Sequence, residues 1–328
     1  MRVLTGPAAL WVVAALAALA LPFALPNPYY QQVVATAYTT AIAVYGLNVI
    51  LGYAGQLNLG NAGFFGVGAY TVALLETKAG LPFWPALAAG CLASTVLGLL
   101  VGVISLRTRG NYFAIFTAAI GVMIAIVLST WQDLTNGNIG IAGIAPPPRL
   151  GPLTFDSDAA KYYLVLAALA LTIVLCALLR RSLFGRTLLA TASNEPLARA
   201  VGIDVVRARL IAFGLSTFLA GLAGGMFAMY VGFLGPDSSG LDATFEQLLY
   251  LVVGGVGTIS GPLIGTLVLT VLGQSLQSIE RYRYLVFGPL LILLVIFFPL
   301  GISGALARVR PAFGKLRRVR ATTESAPS

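Results

Sequence analysis

Polar side chains are rare in this 328-residue chain, so the places where they gather stand out. The richest is Gly52-Tyr53-Ala54-Gly55-Gln56-Leu57-Asn58-Leu59-Gly60-Asn61-Ala62-Gly63-Phe64-Phe65-Gly66-Val67-Gly68-Ala69-Tyr70. Its glycines permit a break between two helices. The amides of Gln56, Asn58 and Asn61 can then satisfy the freed backbone or meet a polar solute. A second reading needs no solute: Ala62, Gly66, Ala69 and Ala73 fall at i, i+4, i+7 and i+11, a small-residue stripe that lets a neighbouring helix approach closely. The two readings can coexist on opposite faces of one helix.

A second group begins at Asn194, a good N-cap. Glu195 suits the positive end of a helix, Pro196 is tolerated in the first turn, and Gly202 suits the position just past the last turn. Between them lie Leu197, Ala198 and Val201, with Leu197 and Val201 on one face at i, i+4. A helix of about two turns is too short to be stable alone and is expected to dock against something. The bland alternative is a solvated turn joining two longer elements.

Enzymatic chemistry finds little support. The chain has no histidine, which removes the commonest metal ligand and histidine-based triads together. Cys91 and Cys176 each sit inside an apolar run, so neither a disulfide framework nor a metal site is expected. No G-x-x-x-x-G-K-[ST] occurs, so the chain is expected to bind no nucleotide phosphate itself. The twenty Lys and Arg residues and nearly all eleven acids fall in loops or at the ends of apolar runs, with Glu76 and Glu246 nearest the bilayer. A proton-coupled carrier usually holds its proton on an ionisable group at mid-membrane, and none is expected here. Sodium held by backbone carbonyls of a broken helix remains compatible with such a chain.

The elements that position these groups are transmembrane. Counting Gly and omitting Tyr, roughly 65% of residues are apolar against a typical 45–50%. Charged residues make up only 9%, too few to cover a soluble surface. About ten apolar segments emerge, near 8 to 26, 32 to 52, 57 to 77, 82 to 105, 112 to 131, 162 to 179, 210 to 233, 244 to 257, 259 to 276 and 284 to 300. The stretch 244–276 reads as two short passes or one re-entrant hairpin, because Gly254-Gly255-Val256-Gly257 and Gly261-Pro262 interrupt it. The expected class is an all-α polytopic membrane protein. With the N-terminus inside, fifteen of the twenty basic residues fall on the cytoplasmic side, and both termini are expected there. Arg2, the apolar run after it and Ala18-Leu19-Ala20 also resemble a cleavable signal peptide, but the apolar run continues to Leu25, which favours a retained span. The net charge of +9 sits in short clusters beside apolar runs, without the interleaved aromatics of a nucleic-acid surface.

At these residues the sequence resembles the branched-chain amino-acid ABC permease family, in particular its LivM-type members. Gly52 to Tyr70 is similar to that family's G-Y-x-G-Q-L-x-L-G stretch. Leu106-Arg107-Thr108-Arg109-Gly110 with Tyr112-Phe113, Asn136-Gly137 with Gly140-Ile141, Asn194 to Ile203, and Gly254 to Thr258 with Gly261-Pro262 follow in order. The resemblance covers residues 42–276. Two departures stand out: family members often carry Ser and His where this chain has Asn58 and Asn61, and basic residues where it has Leu189 and Ala192.

The resemblance implies an ABC importer permease architecture in the bacterial inner membrane: a single permease domain over 1–328, a cytoplasmic coupling loop at 180–209 and a basic cytoplasmic tail at 301–328 near lipid headgroups. It implies a LivH-type permease partner, two cytoplasmic ATPase subunits that use ATP, and a periplasmic solute-binding protein. This chain itself would bind no cofactor, metal or nucleic acid. Asn194, Glu195, Leu197, Ala198, Val201 and Gly202 would form the coupling element. The cargo would be branched-chain or related hydrophobic amino acids; a carrier or channel for urea or an amide is the alternative. A neutral path with a few amides suits a small zwitterion.

Overall fold

The computed structural model describes residues 15–22, 27–105, 111–149, 154–155, 157–275 and 301–304. Most of the expected segment at 8 to 26, the segment at 284 to 300, the Arg107 and Arg109 cluster and the tail beyond 304 lie outside the described residues.

Asn27 caps the first long helix, its side-chain oxygen accepting from the Tyr29 amide at 3.0 Å. This helix, α1, runs Pro28–Asn48 and continues as a π-helical turn over Val49–Tyr53. The turn widens because Ala54 donates to Val49 and Gln56 to Ile50, five and six residues back. Helix α2 then covers Asn61–Thr77, α3 Phe83–Ser105 and α4 Asn111–Thr130. A short turn of helix, α5, occupies Gln132–Thr135. Beyond it a two-residue strand, β1 (Ile141–Ala142), pairs antiparallel with β2 (Phe233–Leu234), the one departure from an all-helical fold among the described residues.

Helix α6 spans Asp158–Arg181, α7 Leu183–Ser193 and α8 Glu195–Ala200. Each starts at a side-chain cap, Ser157, Ser182 and Asn194 respectively. Asp204 caps the 27-residue α9, Val205–Val231, which ends at left-handed Gly232. After a 3₁₀ turn at Pro236–Ser239 come α10, Leu241–Gly254, and α11, Gly261–Ser275.

Among the described residues, five helices are long and apolar enough to cross a membrane, and α11 is a shorter apolar one. They divide into an inner and an outer set. The span Tyr29–Tyr53 is 83% buried within the protein, whereas the α4 span is only 28% buried. Leu92, Val96 and Leu100 repeat every fourth residue along α3 and are exposed, as are Leu171, Val174 and Leu178 on α6. An apolar face of this extent meets hydrocarbon rather than water.

The inner set packs through missing side chains. A methyl on Gly68 of α2 would lie 2.4 Å from the α carbon of Gly221 in α9, and one on Gly224 would lie 2.0 Å from the Phe65 carbonyl. Backbone contact of this kind is the usual cement between membrane helices, where no hydrophobic force separates helix from lipid. The Ser94 hydroxyl of α3 lies 3.0 Å from the Phe64 carbonyl and 2.7 Å from that of Thr217, joining three helices.

The stretch 244–276 forms two antiparallel helices. Their connecting turn at 255–260 lies against Gly52, at the end of the bundle where Tyr53 closes α1. Gln274 near the end of α11 accepts from the Tyr29 hydroxyl at the opposite end. Neither helix is a full span, and α10 starts inside the bundle, where Ser239 before it already touches Gly66.

Candidate translocation site and coupling segment

The break expected after Gly52 is present, with helix resuming at Asn61 rather than Leu57. Its geometry is re-entrant. The Asn61 amide donates to the carbonyl of Ala43, which lies ten residues before Tyr53 along α1. At 1.5 Å per residue, residues 54–60 therefore climb about 15 Å back into the bundle. Gly55 starts the climb at φ +69°, a conformation that favours glycine.

The three amides are buried. Asn58 folds onto its own segment, its side-chain oxygen accepting from the Gly60 amide at 3.0 Å. Asn61 also donates to the side-chain oxygen of Gln247 at 2.8 Å. The Leu59 amide donates to Thr117 of α4, and the Ala62 amide to Thr244 of α10. The re-entrant segment is thus held from both sides. Asn58 Nδ2 and Asn61 Oδ1 are buried without a hydrogen-bond partner among the described residues. In this conformation Asn58 serves the backbone of the break, Asn61 ties the start of α2 to α1 and α10, and neither has exposed surface.

Ala62, Gly66, Ala69 and Ala73 are likewise all buried. Gly66 faces Ser239 so closely that an added methyl would lie 2.1 Å from its hydroxyl. The Gly68–Gly221 contact sits on another face of α2, and no spacing within α2 marks its partner.

At the end of the bundle holding Arg180, Arg181, Arg186, Arg207 and Arg209, the Asn194 side chain accepts from the Leu197 amide at 3.0 Å and starts α8. Glu195 pairs with Arg199 at 2.7 Å and with Arg209 of α9 at 2.9 Å, bracing the short helix against a long one. Partial burial raises the Glu195 carboxyl, but the two guanidinium groups outweigh it and hold the group below the usual carboxylate range. Ala198 is buried, and Gly202 ends the turn at φ +86°. Leu197 and Val201 are exposed by 61% and 69%, so the shared apolar face points away from the protein. Helix α8 has six residues, slightly less than the two turns expected. Helix α7, which leads directly into Asn194, also touches the break: a methyl on Gly55 would lie 3.0 Å from that of Ala192.

The model of the branched-chain amino acid transport system permease component family matches residues 29–295. The chain belongs to that family. It is 32% identical over 303 residues to the high-affinity branched-chain amino acid transport system permease protein LivM of Escherichia coli (strain K12) and to that of Salmonella typhimurium, covering 86% of this chain and 70% of each relative. It is 26% identical over 287 residues to the permease protein LivH of Escherichia coli (strain K12), covering 81% and 91%. No solved structure matches it. The chain is thus a multi-pass permease subunit of the ABC-transporter type.

Within this permease the fold corrects one expectation and supplies one residue that the sequence reading missed. Glu246 was expected at a span end. Because α10 begins inside the bundle, Glu246 instead borders one cavity with Thr36 and Thr40, about 10–17 Å along α1 from Tyr29. The permease therefore does carry an ionisable group at membrane depth. The missed residue is Asn48, which accepts from the Gly257 amide at 2.7 Å and donates to the Thr258 carbonyl at 2.9 Å. It clamps the α10–α11 turn to the π turn, and Tyr45 adds a hydroxyl bond to the Ile259 carbonyl. A lone Asn in an apolar helix gives no sequence signal of this pairing.

Proposed function

We propose that this permease is the LivM-type half of an ATP-driven importer for branched-chain or related hydrophobic amino acids in the bacterial inner membrane. It works with a LivH-type permease, two cytoplasmic ATPase subunits and a periplasmic solute-binding protein. It catalyses no reaction and binds no ATP; hydrolysis belongs to the ATPase partners. The basic end of the bundle faces the cytoplasm, as the distribution of Lys and Arg favours.

The observation that carries the reading is the braced, outward-facing pair Leu197 and Val201. An apolar face on a six-residue helix, fixed by a cap and two ion pairs, is preformed for an ATPase cleft. A push on α8 is passed through Asn194 to α7, through Ala192 to Gly55, and so to the re-entrant segment bearing Gln56, Asn58 and Asn61. Movement of residues 54–60 would open or close the path at that end, the local event that alternating access requires.

Fully burying one such side chain stabilises an interface by about 1.5–3 kcal/mol, roughly a 10- to 150-fold change in affinity. Leu197→Asp with Val201→Asp should abolish co-purification of the ATPase subunits while the chain stays folded in the membrane. Undiminished ATPase binding by that folded variant would contradict the coupling role.

A further inference from the structure

The segment from the 3₁₀ turn into α10 runs antiparallel along α2 and meets it through few bonds. The Gln247 side chain accepts from that of Asn61 at 2.8 Å, and the Thr244 hydroxyl accepts from the Ala62 amide at 3.1 Å. Ser239 then lies against Gly66, and Tyr70, one turn further along α2, is within electrostatic reach of Asp237 in the 3₁₀ turn. Asn61 is level with Ala43, near the middle of the Tyr29–Tyr53 span. From there to Tyr70 the seam runs about 14 Å towards the end of the bundle where Lys78 bonds the Asp133 carbonyl. It begins where the re-entrant segment 54–60 ends.

The polar atoms of this seam are poorly served while it is shut. Asn61 Oδ1, Ser239 Oγ and the Tyr70 hydroxyl are all buried and without a hydrogen-bond partner among the described residues. A buried polar atom left unpaired costs stability, so a seam that never opened would gain nothing from carrying three. The neighbouring contact of α2 with α9 is built differently: it closes backbone on backbone at Gly68 and Gly221, and the Ser94 hydroxyl beside Gly221 is bonded. Helix α10 is also hung so that it can swing. Asn48 clamps the turn at its far end, whereas its near end follows the left-handed Gly232 and the extended Gly240. Asp242 and Phe245, on the side of α10 away from α2, are exposed.

We infer that this seam is the outer half of the translocation path, shut in this conformation, and that Asn61, Tyr70 and Ser239 line it when residues 236–247 part from α2. Once parted, the three atoms meet water and the polar groups of a small zwitterionic solute. The Asn61 oxygen accepts from its ammonium, and the two hydroxyls donate to its carboxylate. The re-entrant segment guards the inner half, so the two gates meet at Asn61. The inference rests on the importer reading above and adds to it the place of the outer gate and the groups the solute meets there.

The test uses the complete transporter in lipid nanodiscs, with Cys91 and Cys176 replaced by Ala and Ser239→Cys introduced. Sulfur there replaces an oxygen that makes no bond, so the shut seam loses none. A small sulfonate-bearing methanethiosulfonate is added without nucleotide and with a non-hydrolysable ATP analogue. The new thiol should react at least about tenfold faster in one of the two states, since its reactivity follows the population of the parted seam. The wild-type complex, whose two thiols are buried, should stay unlabelled at this subunit in both. In proteoliposomes, the labelled Ser239→Cys complex should lose most of the leucine uptake it has before labelling.

Rates within about twofold of each other in the two states would overturn the proposal. So would undiminished leucine uptake by the fully labelled complex, because the path cannot hold the added group and pass the solute. If Ser239→Cys fails to assemble, Thr244→Cys, which faces the Ala62 amide, serves the same comparison. Failure of the importer reading shows separately, as a wild-type complex in which ATP drives no leucine uptake; the two labelling rates are read without transport.

Discussion

Asn48→Ala removes both bonds that hold the α10–α11 turn to α1. Asn48 is buried, so no surface pairing replaces them from its own side. Orphaning two backbone groups in a dry interior would cost about 1–3 kcal/mol each. Hydrogen bonds between membrane helices, however, average only about 0.6 kcal/mol and reach about 1.7, because the dissociated helices find other partners. Gly257 and Thr258 are half-buried at the end of the bundle, within reach of water, which favours the lower scale. The expected loss is therefore about 1–3 kcal/mol for the pair. Asn48→Asp in its neutral form keeps a carbonyl oxygen for the Gly257 amide and a hydroxyl donor for the Thr258 carbonyl, so it should lose less stability than Asn48→Ala. Reversible unfolding of the purified permease in mixed detergent micelles measures both. A loss for Asn48→Ala within about 0.5 kcal/mol, the range of an ordinary surface change, would refute the clamp.

Gly66→Leu should prevent folding or assembly, since even a methyl there lies 2.1 Å from the Ser239 hydroxyl; normal expression and gel-filtration behaviour would count against that contact. Glu195 gives a pH dependence. Its carboxyl lies below the usual range in the folded chain, so its stabilisation is full above the ordinary carboxylate pKa and is lost as pH falls through the lowered one. ATPase retention should accordingly weaken only as pH falls below the ordinary carboxylate value of 4.5, by up to about 1 kcal/mol once the lowered pKa is passed, and Glu195→Gln should flatten that part of the profile. Cysteines placed at Ala190 and at the exposed Ile139 should label from opposite sides of the membrane with an impermeant maleimide; labelling from one side would overturn the helix directions described above.

The long spans were legible because an apolar run of about 20 residues has few alternatives. Helices α3, α4, α6 and α9 begin and end within a few residues of the expected limits, and the split of 244–276 fell at its glycines. Asn194 was legible as a cap because capping is local. What escaped was long-range. Asn48 meets a turn more than two hundred residues away, and Gly68 meets Gly221. Depth also escaped: Glu246 stands near the start of an apolar run, but that run begins inside the protein, and only the packing of Ser239 on Gly66 reveals it. Sequence position marks membrane depth for a full span and misleads for a re-entrant one.

The central claim is that this chain moves amino acids only as part of an ATP-driven assembly. Uptake of radiolabelled leucine by proteoliposomes tests it most directly, with the chain alone compared against the chain with its second permease, ATPase subunits, external binding protein and internal ATP. The account predicts accumulation only in the complete, ATP-supplied set. Accumulation or equilibration by the chain alone would contradict it and would mean a carrier or channel.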